Sequence, residues 1–201
     1  MGIPVLIMGR SGSGKSTSLR NFGDAGIINV LGKPLPFRNA PKTLNTDDYT
    51  HVLTALMKSK VRSMVIDDSG YLMTNQFMKG HSSKGVGNAI FTFYNDIGDA
   101  FWNLVIFVIQ KLPEDKIVYF IMHEDEDDNG NIKPKTIGKM LDEKVNFQGM
   151  FTIALRSMYV DGKYIFRTNT DGFDVCNNDI IITSQNPITA VIEYQNQYVG
   201  V

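Results

Sequence analysis

The run Gly9-Arg10-Ser11-Gly12-Ser13-Gly14-Lys15-Ser16 constrains this chain more than any other stretch. Ile3 to Met8, just before it, is apolar and reads as a buried strand; Thr17 to Phe22, just after it, can begin a helix. A strand, a loop spaced G-x-x-x-x-G-K-[ST] and a helix start make up the phosphate-binding P-loop pattern. Its glycines let the backbone curl until successive N–H groups point at one anion. A helix start adds partial positive charge. On this reading Gly9, Arg10, Ser11, Gly12, Ser13, Gly14, Lys15, Ser16 and Thr17 line the phosphates. Lys15 reaches the β- and γ-phosphates and the Ser16 hydroxyl ligates Mg²⁺. The plainer alternative is a Gly/Ser-rich turn that matches by chance. The strand in front and the intact Gly-Lys-Ser end argue against it.

Two further strand ends carry matching chemistry. Val61 to Asp68 is a short apolar strand ending in aspartate, the Walker B pattern, and Asp67 is placed to hold Mg²⁺ directly or through water. A helix from Tyr49 to Lys60, capped by Asp47 or Asp48, separates it from the P-loop, as a parallel α/β order requires. Asp68 is either a carboxylate that polarises an attacking water or a solvated capping residue. Asp67-Asp68-Ser69-Gly70 also spells D-x-x-G, but no N-K-x-D guanine-reading motif follows, which discounts GTP specificity. Ile117 to Met122 is another buried strand, and His123 at its carboxyl end is a candidate sensor of the γ-phosphate, with Glu124 in reserve. A merely satisfied strand-end histidine is the alternative.

The rest of the chain reads as scaffold with a few open questions. The 201 residues suggest one domain over 1–201, with a C-terminal hairpin and tail from about residue 151. A formal net charge of −1 supplies no global field toward nucleic acid or membrane. The single cysteine, Cys176, excludes an intrachain disulfide. The start of the chain leaves no room for a signal peptide before the first strand, and the longest apolar run, Leu104 to Ile109, is too short to span a bilayer. Ile27 to Leu31 reads as a strand, Lys33 to Pro41 as an irregular loop and Tyr71 to Met78 as a short helix. Lys79 to Asn88 is glycine-rich and basic. It is a disordered surface loop or a loop that tracks single-stranded nucleic acid, with Phe91, Phe93 or Tyr94 to stack bases. Phe93 to Leu112 has the strongest helical periodicity, and Pro113 stops it.

Asp125 to Gly130 fills several calcium-loop positions, but Thr136 stands where a bidentate Glu is needed, so a tight Asn129-Gly130 turn is the better reading. Gly138 to Phe147 can form a short helix. Phe151 to Val160 and Lys163 to Thr168 form an antiparallel hairpin about Asp161-Gly162. Its Arg156, Lys163 and Arg167 are solvated strand charges, or one of them serves a neighbouring copy's nucleotide in trans. Asp179 to Thr183 reads as a strand, and Asn186-Pro187 opens a last helix.

With Gly9 to Ser16, Met64 to Asp68 and Tyr119-Phe120-Ile121-Met122-His123 in place, the chain resembles phage nucleotide-binding P-loop proteins of the AAA/RecA-like ATPase class, some of them single-strand annealing or recombination ATPases. The likeness continues through Lys133-Pro134-Lys135, Gly138-Lys139, Phe151, Leu155-Arg156 and Phe166-Arg167-Thr168-Asn169, to about residue 175. It implies an α/β fold with a RecA-like, mostly parallel sheet flanked by helices and a C-terminal antiparallel hairpin. It also implies ATP and Mg²⁺ as cofactors, and often single-stranded DNA and self-assembly into a homo-oligomer. A phage-encoded protein of this kind works in the host cytoplasm and without a membrane. One departure matters: no glutamate of the kind RecA-like enzymes use as base follows Ile27-Ile28-Asn29-Val30-Leu31, which shifts that role to Asp68 or leaves hydrolysis slow. The expectation is therefore an ATPase acting on single-stranded DNA, with Lys15, Asp68 and His123 as its catalytic groups. The alternative is a nucleotide-gated binding or assembly module with little turnover. A small-molecule kinase fits less well, since Lys79 to Asn88 contains no arginine to serve as a lid.

Overall fold

The computed structural model describes residues 1–84, 87–138, 146–170 and 172–176. Its centre is β1 (Ile3–Gly9), which pairs in parallel with β5 (Ile117–Glu126) on one side and with β7 (Ile153–Val160) on the other. Beyond β5 come β4 (Ser63–Asp67), β2 (Gly26–Asn29) and β3 (Thr43–Asn45), all parallel. Beyond β7, β8 (Lys163–Arg167) runs antiparallel, so the order is β3-β2-β4-β5-β1-β7-β8. The short β6 (Ile132–Pro134) pairs antiparallel with the far end of β5. The protein is thus α/β, with a mostly parallel mixed sheet, flanking helices and an antiparallel β7–β8 hairpin.

Near-continuous apolar runs suit strands covered on both faces, and the alternation along β1 shows the two cores directly. Leu6 and Met8 point to one side with Ile28, Ile66 and Phe120. Val5 and Ile7 point to the other with Ile27, Val65 and Tyr119. The first face is covered by α1 (Tyr49–Lys58), α2 (Gly70–Gly80) and α3 (Asn88–Lys111), through Val52, Leu56, Leu72, Met73, Phe101 and Val108. The second is covered by Leu19 and Phe22 after the P-loop, helped by Leu35, Phe37 and Phe166. Among the described residues no helix is long and apolar enough to cross a membrane.

Most element readings hold, with shifts that have local causes. Asp48 does cap α1, accepting from the His51 N–H at 2.9 Å. The helical stripe through Phe93, Ile97, Phe101, Leu104, Val105 and Val108 is buried as its spacing requires. The helix expected after the P-loop is only a 3-10 turn, Thr17–Asn21. Ser16, Thr17, Ser18 and Asn21 are weak helix formers, and the Ser18 hydroxyl donates back to the Lys15 carbonyl at 2.6 Å. His123 does not end its strand: β5 runs on to Glu126 because β6 pairs with the extension. It does mark the edge of the parallel sheet, where β1 and β5 last pair at Gly9 and His123. The C-terminal third is not purely antiparallel, since β7 extends the parallel sheet beside β1. Asp161 and Gly162 turn the hairpin with φ of 50° and 77°, the two left-handed positions of a type I′ turn. Residues 139–145, within the expected helix from Gly138 to Phe147, and everything expected after Cys176 lie outside the described residues.

Candidate functional site

Four strand ends converge on the carboxyl edge of the sheet, because β1, β2, β4 and β5 are parallel neighbours or share one. β1 delivers Gly9 and the loop. Gly12 and Gly14 take φ of 80° and 94°, a region open to glycine and strained for other residues. The loop is clamped from β7: the Ser157 hydroxyl donates to the Ser13 carbonyl at 2.6 Å. A β-carbon at Gly9 would come within 2.4 Å of the Ser157 carbonyl oxygen, so only glycine permits that approach. Because a 3-10 turn of five residues follows, the loop offers its own N–H groups and Lys15 as positive charge, without an α-helix macrodipole behind them.

Lys15 is 5% exposed. Its ammonium folds back on its own loop, donating to the carbonyls of Gly9 and Arg10 at 2.7 Å each. Burial lowers its pKa, against the pull of Asp68, Glu124 and Asp67. Ser16 Oγ donates to Asp67 Oδ1 at 2.9 Å, which brings the two expected metal ligands together. Asp67 is 1% exposed and its Oδ2 is buried with no hydrogen-bond partner, as is the Ser13 hydroxyl. Burial, followed by the neighbouring charge of Asp68, raises the Asp67 pKa. This donor set fits Mg²⁺, which takes one or two protein oxygens and completes its shell with phosphates and water. Among the described residues there is no cluster of three or more His, Cys, Asp or Glu able to hold a metal unaided. The acidic turn read against calcium loops instead folds on itself, with Asp127 accepting from the N–H groups of Asn129 and Asn131 at 2.9 Å each.

Asp68 sits in the left-handed region at φ 57°. That kink ends β4 and turns its buried carboxylate toward the His123 ring and the Lys33 ammonium. Oδ1 lies 3.5 Å from His123 Nε2, and Oδ2 pairs with the Lys33 ammonium. Burial would raise the Asp68 pKa; the His123 and Lys33 hydrogen bonds outweigh it, so the carboxyl stays ionised below the usual range. Burial likewise works against the Lys33 ammonium, but its bond to Asp68 prevails and its pKa is raised. Asp68 and His123 are therefore one linked pair rather than separate groups, and Lys33 completes it.

Sequence reasoning passed over Lys33, read as part of an irregular loop. It is held by Asn29 at the end of β2, whose Oδ1 accepts from the Gly32 N–H at 2.9 Å and whose Nδ2 donates to the Lys33 carbonyl at 2.6 Å. The available signal was positional: a cation a few residues past a parallel strand falls on the same edge as Asp67.

Glu124 is taken by another network. Arg156 donates to it through Nε and Nη2 at 2.8 and 2.9 Å, a bidentate pair. Arg10 of the P-loop reaches it at 3.3 Å, and Arg156 and Arg167 both approach the buried Asp174, at 3.7 and 3.3 Å. Arg156 is therefore neither a solvated strand charge nor a cation available to a neighbour, and Arg167 is engaged within its own chain. The cause is topological: pairing β7 beside β1 puts Arg156 across from the β5 extension.

The expected nucleic-acid loop is reached only in part. Lys79 pairs with Asp47, Lys84 lies over the Phe93 ring at 5.2 Å, and Phe93 is in the core. Tyr94 stacks on Phe77 with centroids 5.2 Å apart, while Phe91 is exposed. No protein-family model matches the chain, and no curated protein matches it at a significant level.

Proposed function

We propose that this chain is a P-loop nucleotide-binding protein with a RecA-like core, that it binds ATP with Mg²⁺, and that it hydrolyses ATP slowly. The observation that carries this reading is the Ser16–Asp67 pair with its unpartnered buried Asp67 oxygen, set beside a loop that curls through left-handed glycines at Gly12 and Gly14. A buried carboxylate oxygen with no partner is costly unless a ligand supplies one. In this scheme the Lys15 ammonium leaves the Gly9 and Arg10 carbonyls for the β- and γ-phosphates. Ser16 and Asp67 would hold Mg²⁺, which would supply positive charge against the phosphate oxygens. Asp68, ionised, orients a water for in-line attack on the γ-phosphorus. The water oxygen forms the new P–O bond, the bond to the β–γ bridging oxygen breaks, and ADP and phosphate leave. Lys33 and His123 hold Asp68 and stand at the γ-phosphate end of the site.

An aspartate whose pKa is lowered by the His123 and Lys33 hydrogen bonds is a weak proton acceptor, which supports slow turnover and the gated-module reading. Single-stranded DNA and self-assembly remain the proposed coupling. The exposed Phe91, just beyond residues 79–88, favours the DNA part. Lys15→Ala should abolish ATP binding seen by calorimetry and Mg²⁺-dependent phosphate release; unchanged binding and release would refute the site. Steady-state phosphate release with and without single-stranded DNA separates the two couplings, since strong stimulation excludes a module with little turnover.

A further inference from the structure

The acids, His123 and Lys33 all lie on the β5–β4–β2 side of β1, so they mark where the γ-phosphate and metal go. The nucleoside end of a triphosphate anchored on the same loop must then lie elsewhere around it. On the opposite side of β1 stands the β7–β8 hairpin. Its Tyr164 ring lies against the loop: a β-carbon on Gly14 would come within 2.9 Å of Tyr164 Cδ1. Tyr164 is directly across from Tyr159, and the two rings sit 4.8 Å apart at 50°. Both are aromatic yet 66% and 60% exposed. The hairpin is not loosely hung, because Phe166, two residues along the same face, packs with the core around Leu19 and Phe22.

Resting on the nucleotide reading above, we propose that Tyr164, backed by Tyr159, is the stacking platform for the purine base of the bound nucleotide. A large exposed aromatic pair has open π-faces, and purine rings stack on such faces. The phosphate loop beneath Tyr164 settles the occupant: a base tethered through ribose to phosphates on Gly14 and Lys15 reaches this ring without a second binding event. Gly14 has a second role on this account, since the absent side chain lets the ring come down onto the loop.

The test compares ATP with inorganic tripolyphosphate, each with Mg²⁺, on the wild-type chain, Tyr164→Ala and Tyr164→Phe. Loss of one base stack predicts roughly 5- to 150-fold weaker ATP binding for Tyr164→Ala, with tripolyphosphate affinity unchanged and Tyr164→Phe close to wild type. The triphosphate of 2-aminopurine riboside supplies a spectroscopic signature: stacking quenches its fluorescence on wild type and Tyr164→Phe but not on Tyr164→Ala. Equal losses for ATP and tripolyphosphate mean that Tyr164 only shapes the loop, and overturn the proposal. So does an ATP affinity that Tyr164→Ala leaves intact. A wild-type chain that binds neither ligand overturns the nucleotide reading itself, and this inference with it.

Discussion

Replacing Asp67 with asparagine should stabilise the ligand-free protein and at the same time remove its response to Mg²⁺ and ATP. Asp67 is 1% exposed, its Oδ1 is used by Ser16, and its Oδ2 has no partner. Its pKa is raised, chiefly by burial and then by Asp68, so the folded state holds the proton more tightly than the unfolded chain does. The sign follows: this group favours folding when protonated, and that benefit is lost as pH rises through the folded pKa. Above that pKa the ionised Asp67 is a net cost. Asparagine keeps an acceptor for the Ser16 hydroxyl and removes the charge. Relief of this kind at a functional site is worth about 0.5–2 kcal/mol, or roughly 1–8 °C in melting temperature for a chain of this size. Mg²⁺–ATP at about 100 times its dissociation constant adds about 2.7 kcal/mol to the wild type, roughly 5–11 °C. Thermal unfolding by circular dichroism, with and without Mg²⁺–ATP, should therefore show two curves that exchange order. Asp67→Asn melts higher without ligand and the wild type melts higher with it. A variant less stable than wild type without ligand would refute the uncompensated-carboxylate argument. One that kept the full ligand-induced shift would refute the metal assignment.

The remaining predictions concern the groups around that carboxylate. Lys33→Met should cost about 1–3 kcal/mol at pH 7, because it strips a buried carboxylate of a partner, and the Lys33→Met/Asp68→Asn double variant should lose less than the two single losses added together in urea titrations. The stability due to Asp68, whose pKa is lowered by His123 and Lys33 against its burial, is fully present above its unfolded pKa of about 3.9 and is lost as pH falls through the folded value. The stability gap between wild type and Asp68→Asn should therefore narrow in urea melts between pH 5 and pH 2. Arg156→Ala breaks the buried network to Glu124 and Asp174 and should cost about 3–5 kcal/mol. Lysine should not restore it, since it lacks the bidentate fork. Lys163→Ala, on the exposed start of β8, should stay within about 0.5 kcal/mol. Full stability in Arg156→Ala would return that arginine to the candidates for a trans-acting cation.

Local chemistry was legible in the sequence wherever neighbours along the chain are also neighbours in space. The glycine spacing of the loop, the apolar runs of β1, β4 and β5, an aspartate cap on α1 at Asp47 or Asp48 and the turn at Asp161-Gly162 are all of this kind. Each is set by backbone sterics, or by hydrogen bonds that reach only a few residues. The stripe along α3 belongs with them, since a period of 3.6 residues names its buried face without knowledge of the partner. The partners of the charges were not legible. Whether Glu124 faces a phosphate or Arg156 depends on β7 lying beside β1, and whether Lys33 is a loop charge or the clamp on Asp68 depends on β2 lying beside β4. The same holds for Tyr164, which sequence alone places on a hairpin and the fold places on Gly14. Charges and aromatic faces act across space, so their roles are decided by the order of strands in the sheet. That order comes from burying two apolar faces at once, a property of the assembled sheet and not of any one segment.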